Sequence, residues 1–155
     1  MGDKGDQPLS LFLDANILFS AAHDPNSRSA ALIALAKPAA VELITSAHAK
    51  EEARRNLELK RPQALPELSR LLRLTRTAQE APFPLVQHVT QQYRLPDHDA
   101  PILAAAIHAK AEYLVTGDRT HFGHLMDRQA PALSVQALSL ANAFQLLASR
   151  ALKSE

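Results

Sequence analysis

The chain contains no cysteine, which excludes disulfides and thiolate metal sites and fits a reducing compartment. It contains only four glycines, too few and too scattered for a glycine-rich phosphate loop. No serine sits in a nucleophile-elbow context. No apolar run approaches the roughly 20 residues that span a bilayer. Residues 1–8 are polar and charged and lack the apolar stretch of a signal peptide. The expectation is a cytoplasmic protein with no membrane association, a flexible start at residues 1–8 and one domain over residues 9–150.

What is present is the composition of a packed globule. Apolar residues make up 46% of the 155 positions, but aromatics only 5%, so the core must be built from Ala and Leu and should be rich in helix. The net charge of +1 does not point to a partner, whereas its distribution does. Arg54, Arg55, Lys60, Arg61, Arg70, Arg73 and Arg76 fall in one stretch, opposed there by Glu58, Glu67 and Glu80. Such a segment suits a phosphate backbone, or else forms solvated helix faces. Arg54, Arg55, Lys60 and Arg61 are the candidates for nucleic-acid contact.

Short apolar runs alternate with helical patterns. Strands are expected at residues 9–13, 41–44, 113–116 and 133–136, with a weaker one near 74–77. Helical patterns lie between them. Ser27 caps one, and Thr45 or Ser46 caps the next, which runs to about Leu59 before Pro62 stops the chain. Residues 65–74 are amphipathic. A further helix is expected at residues 85–93. Pro101 suits the first turn of a helix over residues 100–109, and residues 137–152 form a closing helix with Leu138, Ala141, Phe144, Leu146 and Leu147 available for burial. This alternation predicts a parallel sheet covered on both faces, with any site beyond the carboxyl ends of the strands.

Four acidic residues occupy that predicted edge. Asp14 directly follows the first strand, and Asp118 ends the strand at Thr116-Gly117, where Gly117 allows a tight turn. Asp99 stands at the start of the helix before Ala100-Pro101, as a cap, a ligand or both, with Asp97 as its competitor two residues earlier. Glu52 follows from helix phase. At about 100° per residue, Ala49, Ala53 and Leu57 define a buried face, which Asn56 and Leu59 extend, and Glu52 lies on its border while Glu51 points to solvent. Asn16, Thr116 and Ser46 can orient a ligand or a water. Carboxylates gathered at one spot repel, and bound cations remove that cost. All-oxygen ligation selects a hard ion, Mg²⁺ or Mn²⁺, and such ions suit phosphoryl chemistry.

The segments Phe12-Leu13-Asp14-Ala15-Asn16-Ile17-Leu18-Phe19-Ser20, Glu52-Ala53-Arg54-Arg55-Asn56-Leu57, Asp99-Ala100-Pro101-Ile102-Leu103-Ala104-Ala105-Ala106 and Tyr113-Leu114-Val115-Thr116-Gly117-Asp118 followed by Phe122 resemble, in this order, the motifs of PIN domains. The resemblance spans about residues 9–148. It implies a three-layer α/β/α sandwich around a parallel sheet. It also implies a metal-dependent ribonuclease acting on RNA, with ligands at Asp14, Glu52, Asp99 and Asp118. Many small bacterial PIN proteins are toxins paired with an antitoxin, and many are dimers, so the resemblance implies an antitoxin partner and a homodimer.

His121 and His124, three apart, do not constitute a zinc motif without a second ligand pair, and they are expected to face solvent or substrate. A PIN-like module that grips RNA or a protein without cutting is the alternative to an enzyme. A signalling receiver domain is disfavoured, because Ala15 and Asn16 follow Asp14 and no aspartate follows the strand at residues 41–44.

Overall fold

The computed structural model describes residues 7–128, 130 and 133–153. Most of the segment expected to be flexible, residues 1–6, lies outside them.

The strands β1 (Leu9–Leu13), β2 (Val41–Ser46), β3 (Thr75–Ala78), β4 (Tyr113–Val115) and β5 (Gln136–Leu138) form one parallel sheet in the order β3-β2-β1-β4-β5. Among the described residues, eight helices cover it: α1 (Ala15–His23), α2 (Arg28–Leu35), α3 (Ala47–Lys60), α4 (Leu65–Leu72), α5 (Phe83–Tyr93), α6 (Ala100–His108), α7 (Arg119–Phe122) and α8 (Leu140–Lys153). The result is the expected three-layer α/β/α sandwich.

Sandwiching dictates the sequence of the central strand. In β1, Leu11, Phe12 and Leu13 are all fully buried, because helices cover both faces and side chains pointing either way need apolar partners. Phe12 pairs with Ile44 of β2 on one side and Leu114 of β4 on the other. Truncating Phe12 to alanine is expected to cost roughly 3–5 kcal/mol in a urea melt. The edge strand β3 differs: Arg76 and Thr77 are exposed, and Arg76 instead pairs with Glu42 of β2 at 2.8 Å.

Helix ends are set by the residues that the sequence offers. Ser27 accepts from the Ala30 amide at 3.1 Å, and Ser46 from the Ala49 amide at 3.2 Å. Pro62 ends α3 and starts a single 3-10 turn (Pro62–Ala64) before α4. Pro82 and Pro84 flank the first residue of α5, where a missing N–H costs nothing, so the helix begins at Phe83 rather than at the expected residue 85.

Three expectations need correction. The last strand lies at Gln136–Leu138, and the closing helix begins only at Leu140. Among its described residues Ala143 and Leu147 are buried, Phe144 and Leu146 are half-buried against the core, Ala141 is exposed, and Leu138 belongs to the sheet. Leu59 does not extend the buried face of α3: it is 84% exposed. Ala49, Ala53 and Leu57 are buried, as the helix phase requires.

In this strand order β2 and β3 lie on one side of β1, and β4 and β5 on the other. The winding reverses between β1 and β4, and a crevice opens outside the carboxyl ends of these two strands.

Candidate metal centre

Asp14 is the first residue past β1, and its amide continues the ladder by donating to the Val115 carbonyl at 3.1 Å. Its side chain is therefore fixed at the sheet edge, 2% exposed. Oδ1 accepts from the Ala15 amide at 2.6 Å at the start of α1. Oδ2 accepts from the Thr116 hydroxyl at 2.8 Å and from Asn16 Nδ2 at 3.1 Å. Thr116 Oγ1 in turn accepts from the Asp118 amide at 3.1 Å and from Asn16 Nδ2 at 3.3 Å, and Asn16 Oδ1 accepts from the Gly117 amide at 2.8 Å. The ends of β1 and β4 are thus joined by one network of side-chain bonds.

Gly117 has no left-handed conformation to support. A Cβ there would stand 3.4 Å from Asn16 Oδ1, an ordinary van der Waals contact, so packing does not demand glycine at this position.

Asp118 caps α7, Oδ1 accepting from the His121 amide at 3.1 Å. Its Oδ2 accepts from His121 Nδ1 at 2.7 Å. Asp99 precedes α6 but makes no capping bond with its side chain, contrary to the capping role its position suggested. It is 6% exposed. Its Oδ2 lies 3.0 Å from His121 Nδ1 and 3.3 Å from His98 Nε2, yet neither contact has the direction of a hydrogen bond, which leaves this buried oxygen without a hydrogen-bond partner. The loop is tied to α3 by His48, whose Nε2 donates to the His98 carbonyl at 3.1 Å.

Asp14, Glu52, Asp99 and Asp118 all line one cavity of about 480 Å³, together with Asn16, Asn56, Lys60 and His98. Asp97 is exposed and does not line it, and Glu51 turns outward to pair with Arg54 at 2.7 Å. Among the basic candidates only Lys60 reaches the cavity, its ammonium 5.3 Å from the centre of the Phe19 ring. Arg54 is held by Glu51 and Glu58, both at 2.7 Å, and lines a separate groove between α3 and α4. Arg55 lies 3.8 Å from Glu51, and Arg61 donates to the His23 carbonyl at 2.6 Å.

The charges are costly where they stand. Burial raises the pKa of Asp14 from 3.8 to about 6. The hydrogen bonds from Thr116 and Ala15 pull against this, and the charges of Asp99 and Glu52 add to it. Burial also raises Asp99, against the pull of His98 and His121. The hydrogen bond to Asp118 raises His121. A cation in the cavity would relieve all the carboxylates at once. The unpartnered Asp99 oxygen and the oxygen-rich lining fit a divalent ion.

Local pattern did not reveal the two histidines. His121 was read beside His124, but His124 Nε2 donates to the Tyr93 carbonyl at 2.6 Å, a bond that ties the turn after α7 to α5. The contacts of His121 are Asp118 and Asp99. Only its spacing from the cap residue Asp118, three positions, hinted at this.

A sequence profile of the PIN domain matches residues 10–120. No curated protein sequence matches the chain. Among solved structures, PAE2754 from Pyrobaculum aerophilum superposes with a TM-score of 0.66 at 18% identity, over 96% of this chain and 99% of that one. VapBC2 from Rickettsia felis, bound to a DNA fragment from their promoter, gives 0.65 at 16% identity over 83% and 98%. VapC20 from Mycobacterium tuberculosis, a toxin that cleaves the sarcin–ricin loop, gives 0.55 at 15% identity over 71% and 91%.

Proposed function

The chain belongs to the PIN domain family, and from that premise we propose that it is a divalent-metal-dependent endoribonuclease, acting in the cytoplasm as the toxin of a toxin–antitoxin pair. One observation carries the reading: carboxylates from four separate elements, Asp14, Glu52, Asp99 and Asp118, line a single cavity at the point where the sheet's winding reverses. Helix capping accounts for one oxygen each of Asp14 and Asp118, but Asp99 makes no capping bond and Glu52 lies within α3. Buried like charges destabilise the folded chain, and a site for a cation gives that cost a purpose.

In this reading Asp14, Glu52, Asp99 and Asp118 hold Mg²⁺ or Mn²⁺. When bound, such an ion activates water for attack on the phosphodiester and stabilises the leaving oxygen. The chain's other residues position and bind. Asn16, in the first turn of α1, and Thr116, just past β4, fix the rotamer of Asp14. Lys60 meets an RNA phosphate at the cavity mouth, with Arg54, Arg55 and Arg61 further along the same helix and its end as outer contacts.

The sarcin–ricin loop cleavage by VapC20 supports RNA as substrate, and the VapBC2 assembly supports an antitoxin partner. No helix among the described residues is long and apolar enough to cross a membrane. A homodimer belongs to the same reading, as the family resemblance implies.

The test is cleavage of labelled RNA by the purified chain with Mg²⁺ or Mn²⁺, with and without EDTA. Cleavage that EDTA stops and Asp14→Asn abolishes supports the proposal. Equal cleavage in EDTA rejects the metal, and full activity in Asp14→Asn rejects the site.

A further inference from the structure

We propose that His98, Asp99 and His121 form a mixed nitrogen–oxygen site that takes a first-row transition ion such as Zn²⁺ in preference to Mg²⁺, a property that rests on the metal-dependent reading above. One ligand atom from each of the three residues lies within 4.8 Å of the other two. Bonds of about 2.0–2.2 Å to nitrogen and oxygen place the ligands of one ion within roughly twice that length of each other, so small side-chain rotations suffice.

Three further features point to a ligand. Asp99 Oδ2 is buried and has no hydrogen-bond partner, so it has a lone pair to offer. The two imidazoles approach that same oxygen with nitrogen atoms, His98 Nε2 at 3.3 Å and His121 Nδ1 at 3.0 Å. Their rings meet edge to face, 5.5 Å apart at 87°, and so do not stack on each other, and an ion would take the His121 Nδ1 lone pair in place of the proton that now bonds Asp118. The His98 side chain is 60% exposed, which gives an ion a path from solvent.

The donor set decides which ion. Mg²⁺ is a hard ion that keeps waters and takes oxygen, and it gains little from imidazole. Imidazole suits Zn²⁺, Fe²⁺, Ni²⁺ and Cu²⁺. Asp14, Glu52 and Asp118 offer only oxygen and do not discriminate in this way. His121 also touches Asp118, at 2.7 Å, so the mixed site is continuous with the carboxylate cluster. The competing account is that His121 is only a positively charged clamp between Asp99 and Asp118, with no role toward a metal.

Calorimetry on the full chain with Zn²⁺ alone and Mg²⁺ alone separates these. Wild type is compared with His98→Ala, His121→Gln and the double variant; both side chains are at the surface, and far-UV circular dichroism checks the fold. The expectation is that Zn²⁺ binds more tightly than Mg²⁺, and that each substitution weakens Zn²⁺ by about 10-fold or more and weakens Mg²⁺ by clearly less. The ring nitrogen resonances of His98 and His121 should also shift on adding Zn²⁺. Equal Zn²⁺ affinity in wild type and the double variant overturns the inference while leaving the metal-dependent reading intact. Failure of both ions to bind wild type overturns the two together.

Discussion

Thr116 donates its hydroxyl proton to Asp14 Oδ2 over 2.8 Å, joining residues 102 positions apart in the chain. The direction is fixed by the other bonds of the hydroxyl. Its oxygen accepts from the Asp118 amide and from Asn16 Nδ2, so its single proton is left for Asp14. This one side chain thereby orients the Asp14 carboxylate and anchors the backbone of Asp118.

Thr116→Val tests that role, because valine keeps the shape and removes the hydroxyl. The loss leaves buried Asp14 with one fewer donor, so its pKa should rise further above about 6. Divalent-ion affinity at neutral pH should fall by about 10- to 100-fold, as it does when a residue that orients a ligand is removed. Calorimetric titration measures it. Unchanged affinity would mean that Asp14 needs no orienting partner.

Asn16→Ala should have a smaller effect in the same assay. Asn16 also bridges Asp14, Thr116 and Gly117, but it is only partly buried, and water can replace its amide. A larger loss than Thr116→Val gives would reverse the assigned ranking.

The ion-free protein should lose stability as pH rises. Asp14 has a pKa of about 6 in the folded chain against an ordinary value of 3.8, so the folded state holds its proton more tightly. Its contribution is complete below the ordinary value and is lost as pH climbs through about 6, on the order of 3 kcal/mol. His121, also raised, acts in the same direction. Urea melts in EDTA across this range should show the decline, and Asp14→Asn should flatten it. Adding a divalent ion should stabilise wild type more above pH 6 than below it, because ion and proton compete. Melts that do not change over this range would contradict the burial of a titrating Asp14.

The basic residues should not contribute equally to RNA binding. Lys60 lines the cavity, whereas Arg54 is held between Glu51 and Glu58. Lys60→Ala should reduce the dependence of log affinity on log salt by about one, and Arg54→Ala by less. Fluorescence anisotropy with uncut RNA on an Asp14→Asn background reads both slopes. The opposite order would move the RNA path to the α3–α4 groove.

The sequence made β1, β2, β4 and α6 legible because both-sided burial writes continuous apolar runs, such as Leu11-Phe12-Leu13, that no other arrangement needs. β3 was faint because it is an edge: Arg76 and Thr77 face solvent, so only half the pattern exists. β5 was misplaced because Ala137 and Leu138 are good helix formers contiguous with α8. The break between them is Ser139, whose Oγ accepts from the Asn142 amide at 3.3 Å and whose amide donates to Asp127 at 2.8 Å. Its Asp127 partner lies twelve positions away, outside the reach of any local pattern. The acidic residues were found because strand ends and helix phase are local properties. The pairing of His98 and His121 across Asp99 was not, because it arises from the meeting of a loop and the short helix α7, which no periodicity connects.

The central claim is that Asp14, Glu52, Asp99 and Asp118 hold a divalent cation between them. Crystals soaked in Mn²⁺, with anomalous diffraction recorded, test it most directly. The prediction is an anomalous peak in the cavity, within bonding distance of the Asp14 and Asp99 carboxylates and liganded by Asp118 and Glu52 directly or through water. A cavity without a peak, from crystals that bind Mn²⁺ elsewhere on the surface, would contradict the account.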